Sequence, residues 1–164
     1  MIRRFCILLF CLLFLPPAAS ALEPASGRLL VAADTMADVR FRETVILLLR
    51  HDRRGSLGLV LNRPSRLPLA EAVPNADVFR NQKGLLWLGG PVAPGSALVL
   101  TSSDRLAGKP VLSGVWVSGL RELIQALGQG EDVGRFRVYA GYAGWAPGQL
   151  AGEIARGDWQ VQPA

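Results

Sequence analysis

From Leu29 onward, short apolar runs alternate with glycine, proline and charge at strand length rather than helix length. Thr44 to Leu49 reads TVILLL without polar alternation, the pattern of a strand covered on both faces. After the turn HDRRGS the apolar pattern returns as LGLVL, Leu57 to Leu61, so the two runs predict a hairpin. Further strands are expected at Leu29 to Ala32, Leu85 to Leu88, Ala97 to Leu100 and Val111 to Val117. Between Arg135 and Ala140, Phe136 and Val138 alternate with arginines, which marks a half-buried strand. Two helices are expected. Leu120, Leu123, Ile124 and Leu127 share one face, with Ser118 as N-cap and Gly128 as terminator. The second helix runs from Pro147 to Arg156 and stops at Gly157, and a short helical turn is expected at Leu69 to Val73. No internal repeat or long linker divides this stretch, which predicts one domain over residues 22–164.

The first residues follow a different logic. Arg3 and Arg4 precede an unbroken apolar run from Phe5 to Leu15, then Pro16, Pro17 and small residues at Ala19 and Ala21. This is the three-part pattern of a secretory signal peptide, residues 1–21, with cleavage expected after Ala21. The apolar run is too short to cross a bilayer of about 30 Å as a helix, and no stable membrane span is expected in the mature chain. Cleavage predicts a periplasmic or secreted protein. It would also remove Cys6 and Cys11, the only two cysteines, and with them any disulfide or thiolate chemistry. Two of the 18 basic side chains leave with the segment, so the formal net charge of +5 overstates the charge of the processed protein. An exported protein would also not meet cytoplasmic DNA.

At 50% hydrophobic and 19% charged, the 164 residues form a chain that folds rather than stays disordered. Catalytic constellations are scarce. His51 is the single histidine and sits in a charged turn, so neither a zinc site nor a Ser-His-Asp triad is expected. Asp34 and Asp38 lie four apart and would share a face only if that loop were helical. Ser102, Ser103 and Asp104 read as a polar turn. No cofactor motif is present, since neither GxGxxG nor GxxxxGK occurs.

The candidates for recognition are backbone turns and arginines. Gly89, Gly90 and Pro91 end a strand, and the glycines from Gly141 to Gly148 are expected to turn from a strand into a helix. Their amides could cradle an anion, or the glycines could simply make tight turns plugged by Tyr142 and Trp145. Gln149 suits either capping or ligand contact, and Asn62, Arg63 and Pro64 read as a turn after the second hairpin strand. Arg50, Arg53 and Arg54 concentrate at the hairpin tip, where guanidinium groups suit phosphate or carboxylate surfaces such as phospholipid or acidic polysaccharide. A solvated hairpin tip explains the same arginines and is the favoured reading.

Four segments in order, TVILLL, GLVLNRP, GGPV and GYAGWAPGQLAGEI, resemble the YqgE/AlgH family over roughly Gly27 to Trp159. The last is the specific one, through Gly141, Tyr142, Ala143, Gly144, Trp145, Pro147, Gly148, Gln149 and Leu150. The resemblance implies an α/β (α+β) single domain whose mixed, bent sheet forms a pseudo-barrel with flanking helices. It implies no catalytic residue, metal or cofactor. Relatives are usually cytoplasmic and carry a regulatory label, whereas this chain is expected to be exported. After GGPV it reads APGSALVLTSSD in place of the family's usual turn and histidine. The preferred expectation is a non-enzymatic exported binding or accessory domain that meets an anionic envelope ligand or a partner protein. The alternatives are a cytoplasmic transcriptional regulator, or an envelope hydrolase using Asp34, Asp38 or His51 as base with amides near Gly89 or Gly144 as an oxyanion site.

Overall fold

The apolar runs form strands whose two faces serve different neighbours. In the computed structural model, which describes residues 22–74 and 77–164, TVILLL supplies most of β2 (Val45–Asp52). Ile46 and Leu48 point to one core on one face, while Leu47 points to the other. The expected hairpin is present, with β3 (Gly55–Val60) antiparallel to β2 and a bulge between Leu48 and Arg50. The signal-peptide segment 1–21 lies outside the described residues.

The remaining elements, in chain order, build one sheet. β1 (Leu29–Ala32) precedes the hairpin, and β4 (Pro64–Pro68), α1 (Leu69–Ala72) and a 3-10 turn at Asp77–Phe79 follow it. Next come β5 (Leu85–Leu88), β6 (Val92–Thr101), β7 (Gly108–Leu112) and β8 (Val115–Gly119). The chain then runs through α2 (Leu120–Gly128), β9 (Phe136–Trp145), α3 (Gln149–Ala155) and β10 (Trp159–Gln162). The main path is β10-β1-β2-β3-β9-β6-β8-β7.

β9 is the fork of the sheet. One of its edges pairs with β6; the other pairs antiparallel with β3 through Ala143 to Trp145 and parallel with β5 through Val138 to Ala140. Gly89 sits where β3 and β5 part: its amide donates to the Ala140 carbonyl at 2.8 Å, and its carbonyl accepts from Val60 at 2.9 Å. A side chain at Gly90 would run into the Tyr142 and Ala143 backbone, and one at Gly141 (φ +65°) would meet the Gly90 carbonyl. These glycines allow two backbones to touch.

The sheet is strongly bent but does not close into a pseudo-barrel, which corrects the expectation carried by the resemblance. It curls far enough that a Cβ at Gly27 would lie 2.6 Å from the Val111 carbonyl oxygen, yet no ladder joins β7 to β1 or β10. β10, which the sequence reading did not include, extends the sheet beyond β1, so the two ends of the path are β10 and β7. No ladder joins these end strands, and Pro110 removes one ladder donor from β7. Val111 to Val117 is two strands, not one, because Gly114 (φ +73°) turns the chain between them. Gly141 to Trp145 belong to β9 rather than to a turn.

Both longer helices pack on the outside of the curl. α2 buries Leu123 and Ala126 in a core with Val99, Val133, Val138 and Phe79. Its N-cap is Gly119 instead of Ser118, whose hydroxyl donates to the Ala107 carbonyl at 2.9 Å. α3, shorter than expected and capped by Gly148 in the left-handed region, covers the second core with Leu150. Among the described residues, no helix is long and apolar enough to cross a membrane.

Candidate functional site

The end of β9, the loop before β2 and α3 converge on one carboxylate. Trp145 closes β9, turns through Ala146, Pro147 and Gly148, and α3 begins at Gln149. One turn on, Glu153 points back. Its Oε2 accepts both indole N–H groups, from Trp145 and from Trp159, each at 2.8 Å. Its Oε1 accepts from the Gln149 amide nitrogen at 2.9 Å, while the Gln149 amide oxygen accepts the Ala146 backbone N–H at 3.0 Å. Gln149 therefore caps the turn and orients Glu153. The spacing of four residues places both on one helix face.

Phe41 completes an aromatic cluster, with its ring centroid 6.4 Å from Trp145 and 5.7 Å from Trp159. The two indoles meet edge to face at 6.0 Å. Both are nearly buried, 6% and 3% exposed. Buried indoles need an acceptor, and a charged one gives the stronger bond. Beside the cluster lies a pocket of about 330 Å³ lined in part by Pro91, Gly144, Trp145, Gln149, Arg40 and Arg156.

The loop carrying Phe41 is fixed by residues singled out in the sequence. The Asn62 side chain accepts from the Val45 amide at 3.0 Å and donates to the Glu43 carbonyl at 2.8 Å. Arg63 donates to the carbonyls of Arg40 and Arg42. Both side chains thus clamp the pocket wall from behind. At its rim Asp38 pairs with Arg40 and Asp158 with Arg156, each at 2.7 Å. The Arg40 hydrogen bond holds the Asp38 carboxyl below its usual range, against a smaller opposing effect of burial.

Of the sequence candidates, Pro91, Gly144, Trp145 and Gln149 share this pocket. Gly89, Gly90, Gly141 and Tyr142 gather instead at the β3/β5 fork, backbone against backbone. The arginine-rich tip is a neighbour of the aromatic cluster: Ser56 pairs with Trp145, and a Cβ at Gly55 would strike the Trp145 carbonyl. There Asp52 lies 3.2 Å from Arg54 and 3.8 Å from Arg50, while Arg53 has no acidic partner among the described residues. His51 shares a hydrogen bond with the Ser56 hydroxyl at 2.8 Å. Asp34 and Asp38 do not share a helix, since the loop there is made of turns. The Ser102 hydroxyl accepts the Arg135 amide and the Ser103 hydroxyl donates to the Asp132 carbonyl, so both act as loop clamps. No group of three metal-ligating side chains occurs among the described residues.

Glu153 was not among the sequence candidates. A lone acid in a short helix reads as a solvated residue; the signal that could have found it is Gln149 four residues before it, between two tryptophans.

The AlgH-like family model (DUF179) matches residues 29–164, and that span contains the whole cluster. The chain belongs to the AlgH-like family. Among AlgH-like relatives, UPF0301 proteins of Streptomyces avermitilis and Streptomyces coelicolor are 37% and 38% identical, each alignment covering 83% of this chain and 74% of the relative. Two solved structures share the fold. AlgH from Pseudomonas aeruginosa superposes with a TM-score of 0.71 at 32% identity, covering 85% of this chain and 77% of that one. Protein DIP2367 from Corynebacterium diphtheriae gives 0.73 at 30% identity, covering 88% and 78%.

Proposed function

We propose that this AlgH-like chain is an exported, non-catalytic recognition domain that engages an anionic ligand or partner protein. The contact surface is the aromatic pocket together with the neighbouring arginine-rich tip. The observation that carries this reading is the state of the carboxylates around the pocket. Glu153 receives three N–H donors, and Asp38 and Asp158 are each held by an arginine, so these acids are committed to holding geometry. What faces outward beside the buried indoles is guanidinium, with Arg53 and Arg54 exposed at the tip, which suits recognition of anionic groups.

Export rests on Arg3, Arg4, the Phe5 to Leu15 run and the small residues before Leu22. Intact mass and N-terminal sequencing of the protein from fractionated host cells test it: a periplasmic chain starting at Leu22 is expected, and a cytoplasmic chain starting at Met1 would defeat it. For the surface, retention on an immobilised acidic polysaccharide such as polygalacturonate is expected to fall when Arg53 and Arg54 are both changed to Glu. Unchanged retention would remove the tip from the contact surface.

A further inference from the structure

The face of the sheet away from the two longer helices is a second place where chemistry collects. Because the sheet curls without closing, its concave side leaves a trough of about 840 Å³, within the range of roughly 300–1,000 Å³ typical of small-molecule sites. Its walls come from separate strands: Leu47 of β2, Trp87 of β5, Leu100 of β6 and Leu112 of β7, with Leu61 and Phe136 between them. α1 reaches the trough through Leu69, while α2 and α3 contribute no lining residue.

One part of the trough is charged. Arg135 and Arg137 lie two apart on β9 and line it, and neither has a carboxylate within 4 Å among the described residues. The Arg137 guanidinium stacks 4.3 Å from the centre of the Trp87 ring. Stacking occupies its flat face and fixes its direction, leaving the N–H edge to meet an acid. Tyr139, 1% exposed, lies beside it with its ring 6.1 Å from Trp87. Burial raises the Tyr139 pKa, with the neighbouring arginine opposing in part.

We infer that the trough binds a small amphipathic anion of the acyl-chain carboxylate class, its tail along Leu47, Leu61, Leu100 and Leu112 and its head on Arg137. Charge complementarity decides the occupant. Aliphatic walls alone would accept any apolar body, but the two arginines without carboxylate partners favour an anionic head on an apolar tail. The site is separate from the aromatic pocket and stands whether or not the protein is exported.

Calorimetric titration of the purified protein with dodecanoate below its micelle concentration tests the inference. Dodecyltrimethylammonium carries the same tail with the opposite charge and serves as the control. Dodecanoate is expected to bind one to one and at least about ten-fold more tightly than the cation, the scale of one charged hydrogen bond. Arg137→Gln, an exposed position whose variant should fold, is expected to weaken dodecanoate about ten-fold or more and to leave the cation unchanged. Leu100→Arg, which places charge in the wall, is expected to abolish binding of both. Equal binding of the two heads, an Arg137→Gln variant that binds dodecanoate as tightly as the parent, or a ligand-blind dimer with the trough covered by a second copy would each overturn it.

Discussion

The two faces of the sheet use tryptophan beside a charged group in opposite ways. On the convex side, Trp145 and Trp159 spend their N–H groups on one Glu153 oxygen, and Gln149 engages the other. On the concave side, Trp87 offers its ring to Arg137, and no carboxylate neutralises the cation among the described residues. Both arrangements place an ion against indole. The first is satisfied within the protein and holds three chain segments together; the second leaves donors pointing into an open trough. Unspent hydrogen-bonding capacity beside an apolar wall distinguishes a binding site from a structural clasp.

That contrast makes stability and binding separable. The largest expected effect is at the clasp: Trp159→Ala should cost about 4 kcal/mol, the usual scale for truncating a buried aromatic residue, measured by urea unfolding. Glu153→Ala follows at roughly 3 kcal/mol, because two buried indole N–H groups lose a charged acceptor. Glu153→Gln keeps an acceptor oxygen for the indoles and should lose less than half of that. Should Glu153→Ala unfold at the same urea concentration as the parent, the clasp is not structural. Arg137→Gln should change stability by no more than about 0.5 kcal/mol, as an exposed residue without a carboxylate partner, while weakening dodecanoate.

The smallest effect is one of pH. Since burial raises the Tyr139 pKa, the native protein keeps that proton at pH values where the unfolded chain releases it. Stability should therefore fall as pH rises from about 10 through the raised native value, with no pH dependence from this group near neutrality. Tyr139→Phe should flatten that part of the alkaline profile in thermal unfolding. An identical alkaline decline in the variant would assign the effect elsewhere.

Much of the fold was legible because it followed periodicity. β1 and β5 fall on the residues the sequence marks, and the helical face of α2 buries as its spacing requires. The errors fell where one residue type serves two purposes. Gly141 and Gly144 read as a turn but lie within β9, where glycine lets the strand pass close to Gly90 and bulge at the fork. The four residues WQVQ of β10 are too few to show a period, and missing them left the sheet free to close on paper. At the clasp, Trp145 and Gln149 stood out and Glu153 did not, because its importance comes from Trp159 and Trp145 meeting in space. The trough left no mark in the sequence at all, since its walls come from strands far apart along the chain.

The central claim is that the convex tryptophans are spent and the concave one is available. Indole N–H resonances of the ¹⁵N-labelled protein, followed during titration with dodecanoate, test it in a single experiment. The Trp87 indole signal is expected to move in proportion to binding while those of Trp145 and Trp159 stay in place. Movement of Trp145 and Trp159 with Trp87 unchanged would contradict the account, and would make the convex pocket the site that takes the ligand.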